Sequence, residues 1–105
     1  MLSLPQNARL KDIQKEVVRI RTERGFRTDV IHLILLLLEE AGELGGELRR
    51  IHVDGKEPKP AEDKSSFQHE LADVFILLCA LAEKEGVDLE DAWRSKETLN
   101  AKRTW

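Results

Sequence analysis

The stretch Leu33 to Leu48, LILLLLEEAGELGGEL, passes without a break from wholly apolar residues into three glutamates, Glu39, Glu40 and Glu43. A helix is the natural reading. At roughly 100° per residue, Glu39 and Glu43 lie one turn apart on one face, and Glu40 and Glu43 are close neighbours. Carboxylates that continue an apolar helix must reach water past the core or be neutralised by something cationic, because a buried unpaired charge is expensive. A hard divalent metal would supply that neutralisation. The arrangement returns in HELADVFILLCALA, where Glu70 and Asp73 stand three residues apart at the start of a second apolar helix. Two such helices are what a metal held between packed helices would need.

The rest of the chain reads as helix too. Its 105 residues fit one domain, 1–105, and a hydrophobic content of 41% allows a core, though a small one. Charged residues reach 35% and aromatics only 5%, a usage that favours helix over sheet. The expected fold is all-α, a bundle of about four helices. Leu10, Ile13, Val17, Val18 and Ile20 mark a first amphipathic helix over Ala8 to Arg24, with Gly25 suited to the left-handed position that ends it. Arg19, Arg21, Arg24 and Arg27 cluster near that end, either as a solvated face or as phosphate attraction to a nearby site.

Thr28 or Asp29 can cap a second helix that runs to Ile51. From Val30 to Leu38 it is apolar nearly all round, so it should be covered on more than one side. A monomer of this size can hardly provide that cover, and a homo-oligomer, a dimer or tetramer, follows as the expectation. Gly42, Gly45 and Gly46 each weaken the helix by roughly 1 kcal/mol relative to Ala, which close approach of a backbone or ligand would offset. Val53 to Lys64 holds a DG turn signal and two prolines and is a loop. Ser65 and Gln68 can form a capping box for a third helix over Ser66 to Glu85, and Asp88 starts a fourth that runs to about Arg103.

A net charge of −3 gives a nucleic-acid polymer nothing to be drawn to. The single Cys79 excludes an internal disulfide and suits a reducing compartment. The start lacks the basic and apolar regions of a signal peptide, and no apolar run is long enough for a membrane span. A cytoplasmic protein with no membrane partner is expected.

All-oxygen ligands suit Mg²⁺, with Mn²⁺ as a substitute, and such ions keep coordination positions for water and phosphate oxygens. Lys96, Asn100 and Arg103, spaced i, i+4 and i+7, place two cations and an amide on one face of the last helix, a face able to hold a polyphosphate. The opposing reading is a wet acidic face on an oligomeric interaction module, which a lack of Mg²⁺ stabilisation would betray. A di-iron bundle wants Glu-x-x-His, whereas Asp73 follows Glu70. HELAD lacks the second His of a zinc HExxH site, leaving His69 a surface or capping residue, and neither His32 nor His52 is assigned catalysis. Cys79 has no evident activating neighbour.

In LLEEAGEL, HELADVFILLCALA and KETLNAKRTW the chain resembles the MazG-like nucleoside triphosphate pyrophosphohydrolases of the all-α NTP pyrophosphatase superfamily, in order and from Ile13 to Trp105. The resemblance implies a helical bundle that assembles into dimers or tetramers. It implies Mg²⁺-dependent hydrolysis of nucleoside triphosphates to monophosphate and pyrophosphate, a house-cleaning role toward non-canonical or surplus nucleotides. Glu40, Glu43, Glu70 and Asp73 become metal ligands, and Glu39 a further ligand or the group that orients the attacking water. Lys96, Asn100 and Arg103 become contacts to phosphate or sugar, and Trp93 or Trp105 can stack on a base or simply pack. Phosphoribosyl-ATP pyrophosphohydrolase is the nearest competing enzyme, and dUTP and dCTP hydrolases are related.

Overall fold

The computed structural model describes residues 2–104. Among them are four helices, α1 (Leu10–Glu23), α2 (Val30–His52), α3 (Phe67–Lys84) and α4 (Leu89–Asn100), and no strand.

Side chains fix the helix starts. The Asp29 carboxylate accepts the His32 backbone N–H at 3.1 Å, and the Asp88 carboxylate accepts that of Asp91 at 3.0 Å, satisfying donors that the first turn leaves free. α1 and α3 end alike: Phe26 N–H returns to the Arg21 carbonyl and Val87 N–H to the Ala82 carbonyl, around Gly25 and Gly86 at φ +73° and +70°. A left-handed turn of this kind strains any residue with a Cβ.

The start of α3 departs from the expected box. Asp63 captures Ser65 first, accepting its backbone N–H at 2.9 Å and its hydroxyl at 2.8 Å, so Ser66 becomes the N-cap. Ser66 Oγ and Gln68 Nε2 instead donate to the Ala61 carbonyl. The result ties the 53–66 loop to the helix that carries Glu70.

α2 packs mainly on α3, α1 on α3, and α4 on α1. Leu33 near the start of α2 meets Leu77 and Ala80 near the end of α3, while Glu40 and Glu43 meet Glu70, so the two long helices are antiparallel. The buried apolar set is small: Leu33, Leu77, Cys79, Ala80 and Ala82. Ile31, Leu35 and Leu38 on α2, and Leu71, Phe75 and Leu78 on α3, form two exposed apolar stripes at helical spacing. The Cα radius of gyration is 16.0 Å, against about 13 Å for a compact domain of this length. Gly42, Gly45 and Gly46 have nothing within 4 Å of where a Cβ would stand, so the expected close approach is not made within the subunit. No described helix is long and apolar enough to cross a membrane.

Candidate metal centre

One stripe of α2 carries His32, Leu36, Glu40, Glu43 and Glu47, each three or four residues after the last. The antiparallel packing lays Glu70, in the first turn of α3, against its middle. Carboxylate oxygens of Glu40, Glu43 and Glu70 all lie within 4.8 Å of one another. Glu70 is buried, Glu40 half-buried and Glu43 exposed. The Oε2 atoms of Glu40 and Glu70 are buried without a hydrogen-bond partner, an arrangement that costs stability unless something cationic completes it.

Electrostatics report the same strain. Burial, and then the charges of Glu43 and Asp73, push the Glu40 carboxyl up to about 7, with a Glu43 hydrogen bond and the Glu70 charge adding to the rise. Glu70 is raised by burial and then by Glu43 and Asp73, with Lys59 acting against them. Asp73 thus lies outside the 4.8 Å group yet close enough for its charge to be felt by two of the three. Glu39 is exposed and outside the group.

Glu47, one turn further along the stripe, is buried but neutralised. Arg50 donates to it twice, at 2.9 and 3.1 Å, and Lys59 Nζ stands 3.4 Å away. The Arg50 hydrogen bond, opposed by burial, holds its carboxyl below the usual range. Sequence reasoning passed over this residue. The i, i+3 spacing of Glu47 and Arg50 was a usable signal, whereas Lys59 arrives on a loop.

The other candidates are placed less closely. α4 ends at Asn100, whose side chain donates to Glu97 at 3.0 Å, and Arg103 N–H turns back to the Asn100 carbonyl. The chain leaves the helix there, so Arg103 does not extend the Lys96–Asn100 face by another turn. α4 packs on α1. Trp93 is exposed beneath the Arg94 guanidinium; Trp105 lies outside the described residues. His69 Nδ1 lies 2.8 Å from the Asp63 carbonyl oxygen, a capping role for the loop. Burial pushes the Cys79 thiol up to about 11, which leaves it no thiolate at neutral pH.

The donor set fits a hard divalent cation. It consists of carboxylates alone, two of them with a buried oxygen that lacks a partner, and the raised proton affinity of Glu40 and Glu70 is the behaviour of groups that gain from a nearby positive charge.

Antiparallel helices that present converging carboxylates at their shared face define an all-α protein with a site able to hold a divalent cation. Comparison with known proteins narrows this. Residues 29–102 match the MazG nucleotide pyrophosphohydrolase domain, and the chain belongs to that family. It is a hydrolase that acts on nucleotide pyrophosphate bonds. Among solved structures it is similar to YpjD from Bacillus subtilis, with a TM-score of 0.71 and 30% identity over 94% of this chain and 100% of that one. It is also similar to iMazG from Vibrio DAT 722, with a TM-score of 0.67 and 34% identity over 90% of this chain and 99% of that one. Human dCTP pyrophosphatase 1 is 37% identical over 90% of this chain, which spans 58% of that protein's length.

Proposed function

We propose that this single domain, 1–105, is a cytoplasmic enzyme that cleaves ribo- or deoxyribonucleoside triphosphates to monophosphate and pyrophosphate, removing non-canonical or surplus nucleotides. The observation that carries the reading is that Glu40 and Glu70, each with a buried oxygen that lacks a partner, belong to one converging carboxylate group. Glu40, Glu43, Glu70 and Asp73 would hold Mg²⁺, or Mn²⁺ in its place. Bound there, the ion supplies charge neutralisation for the triphosphate and lowers the pKa of a bound water.

The chain's own residues supply the remainder. Glu40 would be held as a carboxylate beside the ion and can accept a hydrogen bond from the attacking water. Glu39, exposed beside it, orients that water. Lys96, Asn100 and Arg103 bind phosphate or sugar, and because α4 packs on α1 in its own subunit, they serve the site of a second copy. The exposed stripes of α2 and α3 and the open chain dimensions support a homo-oligomer, a dimer or tetramer, that buries those stripes.

Product analysis tests the reading. The protein is incubated with a panel of ribo- and deoxyribonucleoside triphosphates, dCTP included because of the human relative, with Mg²⁺ and with chelator. Monophosphate plus pyrophosphate, only with metal, is the expected result. Diphosphate plus orthophosphate, or no turnover across the panel, would overturn it.

A further inference from the structure

A cavity of about 370 Å³ opens beside the first turns of α2, lined by Arg21, Gly25, Phe26, Arg27, His32 and Leu36. His32 and Leu36 belong to the stripe that continues into Glu40. The cavity therefore reaches to one helical turn, roughly 6 Å, before the carboxylate group. A nucleotide whose phosphates lie at the carboxylates would extend its base along α2 toward this space.

The residue that sets the cavity's chemistry is Arg21. It is only 9% exposed. Among the described residues no carboxylate pairs with it: its guanidinium donates to the Arg27 carbonyl at 3.3 Å and lies 5.2 Å from the centre of the Phe26 ring. Nearby arginines are paired with acids, Arg19 with Glu16 and Glu23, and Arg27 with Asp29. A buried guanidinium without an anion costs stability, and burial pushes its pKa down from the usual value. The Arg27 carbonyl takes one of its five N–H donors, and Arg21 lines both this cavity and a neighbouring one of about 300 Å³ that Glu83 also lines.

Resting on the nucleotide pyrophosphohydrolase reading, we propose that Arg21 reads the nucleobase and selects those with two adjacent acceptors, cytosine through O2 and N3 or guanine through O6 and N7. A planar fork makes two parallel hydrogen bonds to such an edge. Adenine sets the N6 donor beside N1 and N7, and uracil and thymine set the N3–H donor between their carbonyls. Neither offers the fork two neighbouring acceptors. A well-made bidentate contact to a base discriminates by roughly 5- to 150-fold.

Binding of dCMP, dGMP, dAMP and dTMP to the whole protein, measured by calorimetry with Mg²⁺ present, tests this without requiring turnover. The expected result is tighter binding of dCMP, dGMP or both than of dAMP and dTMP, by at least roughly 5-fold. Which of the two leads identifies the edge that is read. Arg21→Ala is expected to erase that difference and to lower kcat/KM for the preferred triphosphate far more than for dATP. Arg21→Lys, which keeps the charge and loses the fork, is expected to erase it as well, and it carries the test if circular dichroism shows Arg21→Ala unfolded. Equal binding of all four by the native protein, or a ranking that survives in Arg21→Lys, would overturn the proposal. So would a change of oligomeric state in the variants with the ranking intact, since the guanidinium would then face a partner's carboxylate. Base discrimination without hydrolysis of any triphosphate would refute the proposed reaction and leave the readout standing.

Discussion

Glu40 and Glu47 lie two turns apart on one stripe of α2, both withdrawn from water, and they live opposite lives. Glu47 is met by Arg50 and Lys59, and its carboxyl is held low. Glu40 is met by burial and by other carboxylates, leaves one oxygen without a partner, and its carboxyl is pushed up to about 7. The same residue type on the same helix face is scaffold where the protein supplies the counter-charge and, on the proposed reading, site where it withholds it. Acid count alone would not separate them. What separates them is whether the folded chain finishes the electrostatics itself.

The largest effect that could break this comparison comes from removing a withheld charge. Glu40→Gln or Asp73→Asn is expected to cut turnover by more than roughly 100-fold, beyond what loss of a supporting residue around a metal costs. Metal-free Glu40→Gln should meanwhile melt higher than the native protein, because the amide removes one repulsive charge and can donate to Glu43 or Glu70. Steady-state kinetics and thermal melts in chelator check both halves. Near-native activity in both variants would remove the metal assignment.

The convergence of Glu40, Glu43 and Glu70 was legible in the sequence because its logic is local. Glu40 and Glu43, and Glu70 and Asp73, advertise themselves by three-residue spacing against apolar runs, and helix packing needs only to set the two pairs side by side. Asp29, Asp88, Gly25 and Gly86 are legible for the same reason, each acting within one turn of its own helix. What sequence spacing could not show depends on the return of a loop or the loss of an element. Lys59 reaches Glu47 only because the 53–66 loop folds back, and Asp63 takes Ser65 from the expected box by a shorter path. Arg103 drops out of helical phase because α4, with little packed around it, stops at Asn100. Arg21 was hidden in a run of arginines that differ in nothing but burial and partners.

Protons and metal sharpen the contrast next, because the two carboxylates respond to pH with opposite sign. Unfolded, Glu40 would titrate near its ordinary 4.5, whereas folded it keeps its proton to about 7. Across that window the folded chain binds a proton the unfolded chain has released, so Glu40's contribution falls as pH rises from 4.5 to about 7 and is level above it. Glu47, whose folded value is lowered, contributes fully above 4.5 and loses that contribution as pH falls through its folded value. Melting native protein and Glu40→Gln in chelator across pH isolates the first trend. Because Mg²⁺ must displace the Glu40 proton, its stabilisation of the native protein should be larger at about pH 8 than at about pH 5.5. An Mg²⁺ shift independent of pH would place the ion elsewhere.

The smallest expected effect tests the scaffold side. Glu47→Gln keeps the shape of the side chain and leaves Arg50 and Lys59 facing a neutral amide. Arg50 still donates to the Glu57 carbonyl at 2.8 Å, and Lys59 still donates to Ser65 at 2.9 Å, so neither cation is stranded. The loop keeps most of its anchorage, and Tm should fall by only about 4–8 °C. Turnover at saturating substrate and Mg²⁺ should stay at the native value, since the un-neutralised carboxylates are untouched. The informative outcome is a split in the other direction, with Tm preserved and kcat lost. Glu47 would then belong to the metal-holding set, with Arg50 and Lys59 standing in for a cation that the folded site takes up one turn further than Glu43.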